Sequence, residues 1–241
     1  MAYRGFKQYL EKVGLRRIFV KIRNIWRICL SRLTRHSKLN IYLKIHQIHK
    51  LQIGAGANIL QGWLNADIEP IKDVMFLDAK KKFPFDDCTF NYIYSEHMIE
   101  HLEYQKGMHF LRECFRILKR GGRIRIATPD LSFFIKLYNS EKTALQEKYI
   151  SWIVDTYLSD IGIYESVFVI NNCFQNYGHK FIYDFKTLQK AMKEAGFDNI
   201  VKYDVGKSDD VNMQNIESHS QSVPDYINRA ETLIFEGRKL S

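Results

Sequence analysis

Two glycines that follow an apolar run are the first residues that suggest chemistry. Leu51-Gln52-Ile53 leads into Gly54-Ala55-Gly56, and Asp67 stands eleven residues after the second glycine. Glycine lets the backbone turn sharply and approach a ligand closely, because no Cβ blocks a positive φ or the contact. After a strand, such a turn points backbone N–H groups at a nucleotide-like ligand, and a downstream carboxylate accepts from ribose hydroxyls. The stretch therefore predicts a nucleotide-like site.

The motif differs from the pattern that binds dinucleotides. The gap from glycine to acid is shorter than the ~20 residues of that pattern. A third glycine is also missing, since Asn58 and Ile59 follow instead. Both departures argue against an NAD-type oxidoreductase.

Length and composition indicate a single globular unit with an appendage. The chain has 241 residues, of which 46% are hydrophobic, enough for one α/β domain with a real core. The four cysteines are far apart and form no C-x-x-C pair, so we expect neither a disulfide framework nor a metal framework. The expected compartment is the reducing cytosol. His46 and His49 lack further ligands, and Asp86-Asp87 is typical of a turn. No metal site is predicted.

Short apolar runs alternate with helical patterns along the first half of the body. Beyond the run before Gly54, the predicted strands are Trp63–Asp67, Val74–Asp78, Phe90–Ser95 and Arg123–Thr128. Residues 57–63 are expected to be a short helix. A longer helix carries Met108, Leu111, Phe115 and Leu118 on one face, and Gly121-Gly122 is expected to end it.

The sequence pattern of the second half of the body predicts a helix over about 131–158 and then an aromatic, amide-rich loop over 168–181. Asp184 is the expected N-cap of a helix that Gly196 closes. Residues 200–205 and 232–235 form the last, antiparallel strand pair. The fold class is therefore α/β: a Rossmann-like, doubly wound, mostly parallel sheet with an antiparallel C-terminal edge strand. We divide the chain into a basic helical extension, 1–48, and a catalytic domain, 49–241.

The extension holds all of the excess positive charge. Residues 1–50 carry thirteen Lys and Arg and one acid, whereas the rest carries 23 basic and 26 acidic side chains. The apolar side chains of the segment recur at the spacing of one helical face: Leu15, Ile18, Phe19, Ile22, Ile25, Trp26, Cys29 and Leu33. Cations interrupt every apolar run well short of the ~20 residues of a membrane span. Three alternatives stay open for residues 1–37: an anionic membrane surface, a polyanion such as nucleic acid, or packing of the apolar face on the body.

Three ordered blocks give the body a family resemblance. They are LQIGAGANILQGWLNADI, FPFDDCTFNYIYSEHMIEHL and LRECFRILKRGGRIRIATPDL, and AMKEAGF follows before a strand. Together they resemble the class I S-adenosylmethionine-dependent methyltransferases, in particular the group with a glycine turn followed by GW-N-x-D. The likeness covers about residues 49–205 well and the tail to Lys239 loosely. Two details depart from the group: Ala55 replaces a common cysteine, and the acid that opens the motif is missing.

The resemblance implies a role for each matched position. Gly54, Ala55, Gly56 and Asn58 would lie under the cofactor, and Asp67 would accept from its ribose hydroxyls. Asp78 would receive the adenine amino group beside the backbone of Ala79, and Ser95 would line the methionine end. The acids stand at the carboxyl ends of strands, where α/β sheets bind ligands.

Methyl transfer to oxygen benefits from a general base as well as from positioning. Three candidates lie near the predicted cofactor mouth: His97, Asp130 and His179. Each has a structural alternative, since His97 could be a pocket wall and Asp130 a helix cap. His101 belongs to the family block and is expected to be structural.

The acceptor is the least constrained part of the prediction. The fourth strand is not followed by the N/D-P-P-Y/F motif of base-amine methylation, and a Pro-Cys nucleophile is absent from the sequence, so nucleic acid is a less favoured acceptor. Relatives of the group resemble accessory enzymes of polysaccharide pathways, which implies an acceptor hydroxyl of a small molecule, saccharide or lipid-linked glycan. A cytoplasmic enzyme, peripheral at the inner face of the membrane, is the corresponding location. A non-catalytic membrane- or nucleic-acid-binding module and a methyltransferase for RNA or small molecules are the alternatives.

Overall fold

The computed structural model describes residues 16–139 and 141–240 and contains a seven-stranded sheet. The strands follow the order β3-β2-β1-β4-β5-β7-β6. The first five are parallel, and β7 is antiparallel to both of its neighbours. This arrangement confirms the predicted Rossmann-like, mostly parallel sheet. The strands are β1 Lys50–Ile53, β2 Leu64–Asp67, β3 Met75–Phe76, β4 Phe90–Glu96, β5 Leu118–Pro129, β6 Asp198–Tyr203 and β7 Thr232–Arg238.

Seven described helices accompany this sheet, together with three short 3₁₀ turns. The turns are Ile99–His101, Val211–Met213 and His219–Gln221. The helices are α1 Arg16–Ile45, α2 Tyr104–Ile117, α3 Leu131–Asn139, α4 Ala144–Tyr157, α5 Ser166–Gln175, α6 Phe185–Glu194 and α7 Asp225–Glu231.

The predicted end of helix α2 at the glycine pair is wrong. Helix α2 ends at Ile117, and Gly121 and Gly122 belong to β5. A Cβ on Gly122 would lie 2.9 Å from the carbonyl oxygen of Asn91 on β4. Gly122 is therefore needed because β4 and β5 approach each other closely at this point. Glycine is common both at helix ends and at close strand contacts, and here it serves the strand contact.

Three further expectations for local structure are wrong. Residues 57–63 form turns, in which the side chain of Asn65 accepts from the N–H of Leu60 at 3.0 Å. The helix expected over 131–158 is two helices, α3 and α4, and Thr143 begins the second with a capping box. The loop expected over 168–181 contains most of α5. By contrast, the predicted cap at Asp184 is confirmed, since its carboxylate accepts from the N–H of Thr187 at 2.7 Å.

Helices α3, α4, α5 and α7 form a helical cap with a core of its own. Its buried side chains include Phe134, Tyr149, Ile153, Val169 and Ile227. The cap is joined to the sheet where its chain begins, at the end of β5, and where it returns, because the N–H of Leu131 donates to the carbonyl of Tyr183 at 2.9 Å. It thus lies at the carboxyl end of the sheet, where ligands bind.

Helix α1 packs along the β3 edge of the sheet through few residues. Ser31, Leu39 and Tyr42 are buried. The Tyr42 hydroxyl bonds the backbone of Lys50 at the start of β1, and the Ser31 hydroxyl accepts from the N–H of Phe76 at the end of β3. The helix therefore runs antiparallel to the parallel strands.

The apolar face predicted for this helix points away from the body. Its described members are exposed: Ile22, Ile25, Trp26, Cys29 and Leu33. Packing of that face on the body is therefore wrong for these residues, and the other two alternatives remain. None of the described helices is both long and apolar enough to cross a membrane.

Buried ion pairs join β5 to the C-terminal segment. Arg125 is fully buried, and its guanidinium bonds Glu236 of β7 at 2.6 Å and also Glu217. Glu236 also accepts from Arg123 at 2.7 Å. Because Glu217 lies between β6 and α7, this network fixes that loop against the sheet.

Replacing Arg125 with Met should destabilise the fold strongly. The change leaves Glu217 buried without its cation, and breaking such a pair costs about 3–5 kcal/mol. Urea denaturation followed by circular dichroism measures the free energy of unfolding. Arg120→Met, an exposed position on the same strand, is the matched control. Equal stabilities of the two variants would contradict the role given to the network.

Candidate active site

The carboxyl ends of β1 to β4 border a cleft of ≈ 450 Å³. Its walls come from the glycine turn, from the residues after β2 and β3, and from the segment after β4. The residues that line the cleft include five that are predicted to bind a cofactor: Gly54, Gly56, Asp67, Asp78 and Ala79.

The glycine turn forms the floor of this cleft. Gly54 has φ +78°, and a Cβ there would lie 2.6 Å from Cγ of Met98. The N–H groups of Gly54 and Ala55 both donate to the carbonyl of Ala66, which ties the turn to β2. Gly56 has φ +51°, and the position of its absent Cβ has nothing within 4 Å. The turn thus needs glycine at both positions. At Gly54 a side chain would collide with Met98, and at Gly56 the absence of a side chain leaves open surface in the cleft.

Two carboxylates occupy different parts of the cleft wall. Asp67 ends β2 and accepts from the N–H groups of Gly56 and Glu69, both at 2.8 Å. These bonds hold its oxygens at the cleft while leaving each one a further acceptor site. Asp78 follows β3 and accepts from the N–H of Lys80 at 3.0 Å. The arrangement suits a ligand with a pair of hydroxyls and a second donor group.

Three other predicted cofactor residues are not in the lining of the cleft: Ala55, Asn58 and Ser95. Ala55 is buried, and the N–H of Asn58 donates to its carbonyl at 2.8 Å. Ser95 is buried within β4, and its hydroxyl has no partner among the described residues. None of the three lines the cleft, and their direct contact with a cofactor stays a prediction.

A half-buried histidine paired with a buried carboxylate stands where the cleft ends. His97 follows β4 with φ +45°, and its Nδ1 lies 3.1 Å from Oε1 of Glu100. The other Glu100 oxygen accepts from the Thr128 hydroxyl at 2.9 Å. Nε2 of His97 is shielded from solvent and has no partner among the described residues. A neutral His97 that donates from Nδ1 to Glu100 has an unshared electron pair on Nε2.

The surroundings of this pair set its protonation. Burial by itself lowers the pKa of His97, but the hydrogen bond and the charge of Glu100, with the charges of Glu231 and Glu96, raise it overall. Burial raises the pKa of Glu100, whereas its bond to His97 lowers it, and the pKa falls overall. The carboxylate is therefore the charged partner that orients the imidazole and increases its basicity.

A second pocket, of ≈ 300 Å³, lies between the sheet and the helical cap. His97 and His101 line both this pocket and the cleft, so two ligands held in the two spaces would meet beside them. The cap contributes aromatic rings and polar groups to the walls. These side chains are Tyr149, Trp152, Tyr157, Asn172 and Tyr177.

Two residues of this pocket come from segments that the sequence patterns left without a role. The ring of His219 lies 3.9 Å from that of His97, centroid to centroid. Glu96 holds it there by accepting from the N–H groups of Ser218 and His219 at 3.0–3.1 Å. Glu231 lies 3.5 Å from Nε2 of His219 and accepts from the Tyr149 hydroxyl.

The other two base candidates occupy different positions. His179 lines the second pocket, and its Nδ1 lies 2.7 Å from the carbonyl oxygen of Cys173, to which it donates when protonated. Burial lowers the pKa of His179. Asp130 lies outside the linings of both spaces and accepts from the N–H of Ser132 at 2.9 Å, at the start of α3. Only His97 borders both spaces among the three.

One group of side chains has the composition of a metal site. Ligand atoms of Glu100, His101 and His179 lie within 4.8 Å of one another. No spacing rule indicates it, because His179 is far from the other two in sequence. Both oxygens of Glu100 already accept hydrogen bonds, from His97 and Thr128, so the carboxylate is satisfied without a metal.

The functional residues missed by the patterns differ in how visible they were. Glu100 stands three residues after His97 in the block EHMIEH, and that spacing was a usable signal. His219 and Glu231 reach His97 only through the return of the C-terminal segment. No local sequence pattern predicts their position beside His97.

Comparison with known families identifies the family of the chain. Residues 30–202 match the model of a family described as a methyltransferase domain. No curated protein matches the chain.

Solved structures with a related fold share little sequence with it. An S-adenosylmethionine-dependent methyltransferase from Archaeoglobus fulgidus is 16% identical, with a TM-score of 0.47 over 88% of this chain and 94% of that one. One from Thermotoga maritima is 18% identical, with a TM-score of 0.45 over 92% and 96%. Phosphoethanolamine N-methyltransferase 2 of Haemonchus contortus, in complex with S-adenosylmethionine, is 13% identical, with a TM-score of 0.41 over 85% and 53%.

Replacing Asp67 with Ala should weaken the binding of S-adenosylhomocysteine by ~10-fold or more, because a charge-assisted hydrogen bond is lost. Isothermal titration calorimetry measures the dissociation constant. Asp86→Ala, an exposed acid in a turn, is the control and should bind as the unmodified chain does. An unchanged dissociation constant for Asp67→Ala, with the fold intact by circular dichroism, would contradict the assignment.

Proposed function

The chain belongs to the methyltransferase domain family and is an S-adenosylmethionine-dependent methyltransferase, and we propose that its acceptor is a hydroxyl group of a saccharide or lipid-linked glycan. The observation that carries this proposal is the His97–Glu100 pair, which lies between the cleft and the second pocket. Methyl transfer to an oxygen acceptor benefits from a base at this position.

The cleft suits the cofactor in shape and in charge. Asp67 would accept from the ribose hydroxyls, Asp78 would face the adenine, and the open surface above Gly56 leaves room for close contact. When bound, S-adenosylmethionine supplies a methyl group attached to a sulfonium sulfur. When the S–CH₃ bond breaks, the leaving group is a neutral thioether and needs no proton.

His97 would accept the proton of the acceptor. Glu100 holds Nδ1 of the imidazole, so Nε2 is the atom that takes the hydroxyl proton as the new O–CH₃ bond forms. The positive charge that then develops on His97 is stabilised by Glu100, with Glu231 and Glu96 nearby. His179 is the alternative base, and its lowered pKa makes it the weaker one.

The second pocket supports a saccharide as the acceptor. Trp152 contributes an indole ring, and Tyr157 and Tyr177 contribute rings with hydroxyls. Asn172 contributes an amide whose nitrogen donates to the Tyr177 hydroxyl at 2.9 Å. Rings with polar edges suit molecules that present both C–H and O–H surface, as sugars do. The four cysteines are free, which supports our proposal that the enzyme works in the reducing cytoplasm.

A methyl-acceptor screen with labelled S-adenosylmethionine tests the acceptor class. Nucleotide sugars, lipid-linked glycans, RNA and small amines are the arms of the screen. We expect label in an O-methyl group of a sugar, and Asp67→Ala should reduce the amount of label at cofactor concentrations near the dissociation constant of the unmodified enzyme. Label only in RNA or in an amine would overturn the proposed acceptor while leaving the enzyme class intact.

Replacing His97 with Asn should lower kcat by ~10²–10⁴-fold, the usual contribution of a general base. In the unmodified enzyme, kcat should rise with pH as His97 loses its proton. Glu100→Gln removes the main group that raises the pKa of His97, so the rising limb should move to lower pH. An NMR titration of the imidazole checks this shift without any acceptor.

His36 is an exposed histidine on α1, and His36→Asn is the matched control. It should change neither kcat nor the pH at which His97 titrates. A Glu100→Gln variant whose His97 titrates at the same or a higher pH would contradict the pairing. Full activity of the His97→Asn variant would remove it as the base.

A further inference from the structure

Helix α1 carries an apolar stripe that the body leaves uncovered. At about 100° per residue, Ile22, Trp26, Cys29 and Leu33 fall within an arc of about 60° on the side opposite Ser31. Trp26 is 71% exposed and Leu33 is 81% exposed. An isolated exposed leucine is ordinary, but a contiguous stripe with a tryptophan indicates a binding surface.

Cations lie on both sides of this stripe. Arg23 follows one edge, and Lys21 and Arg32 follow the other, as the helical angles place them. The sequence from Arg16 to Ile45 contains no acidic residue. Apolar residues between two rows of cations are typical of helices that lie in the plane of a membrane surface.

The helix places this stripe at the end of the molecule where the active site opens. Tyr42 touches the start of β1, whereas Ser31 touches the last residue of β3. Arg27 borders a small groove with Glu69, in the segment that follows β2. From Ser31 the helix extends back about 22 Å to Arg16, so its N-terminal half lies at the carboxyl edge of the sheet.

We propose that the exposed face of α1 docks the enzyme on an anionic lipid bilayer, with the cleft and the second pocket held near that surface. A second copy of the chain fits less well, because pairing two such faces would bring the cationic rows together. Nucleic acid would use the cations but would leave the apolar stripe in water. The proposal concerns binding alone and does not depend on the identity of the methyl acceptor.

Vesicle sedimentation with the full chain tests the proposal. Vesicles of phosphatidylcholine and phosphatidylserine at roughly 2:1 should bind the chain at low salt, whereas neutral vesicles should bind it much more weakly. The Trp26→Ser, Leu33→Ser double variant should lose ~10-fold or more in affinity. Val211→Ser with Ile163→Ser removes two exposed apolar side chains elsewhere and should leave binding unchanged.

The charges are tested separately. Lys21→Gln with Arg23→Gln should reduce binding and flatten its dependence on salt, whereas Lys186→Gln with Lys193→Gln, exposed cations of α6, should not. Vesicle binding that the stripe variant leaves unchanged would overturn the proposal. Self-association in sedimentation velocity that is lost with the stripe, without vesicle binding, would also overturn it. Because no methyl transfer is measured, these results are independent of the acceptor screen.

Discussion

A single buried residue, Glu100, joins the three parts that make up the candidate active site. One of its oxygens accepts from His97 after β4, and the other accepts from Thr128 on β5. Its backbone carbonyl accepts from the N–H groups of Lys180 and Phe181, where the chain leaves the cap. A buried charge is costly unless it is hydrogen-bonded, so the carboxylate needs both the turn after β4 and strand β5. The backbone carbonyl of the same residue ties the chain that leaves the cap to this point.

A second constraint acts from the other side of His97. The ion pairs of Arg125 hold Glu217, and Glu96 holds the next turn of the chain by accepting from Ser218 and His219. The loop between β6 and α7 is therefore fixed at two adjacent points, although it contains little regular structure. This places His219 against His97 and closes the second pocket. The buried charges of β5 thus act on the site through backbone position, at a distance from the reacting atoms.

The residues that line the cleft could be predicted from the sequence because the signals there are local. Gly54, Gly56 and Asp67 lie within one strand–turn–strand unit, and each constraint on them is visible in residue type and spacing. The glycine pair at 121–122 misled the prediction, since the same residue serves helix ends and close strand contacts. The acceptor side could not be predicted in the same way. The cap residues of the pocket lie more than fifty residues after His97, and His219 and Glu231 lie more than one hundred residues after it. No periodicity encodes either return.

The electrostatics of the site link its two halves. Glu100, Glu231 and Glu96 all raise the pKa of His97, so without ligands the imidazole keeps its proton to higher pH than an isolated histidine. His97 also borders the cleft, and a cation held there would lower its pKa, because two like charges at close range disfavour each other. A cationic donor would therefore help to release the proton and leave Nε2 able to accept another. The carboxylates that attract the cation also stabilise the imidazolium formed later, so one charge arrangement serves both binding and proton transfer.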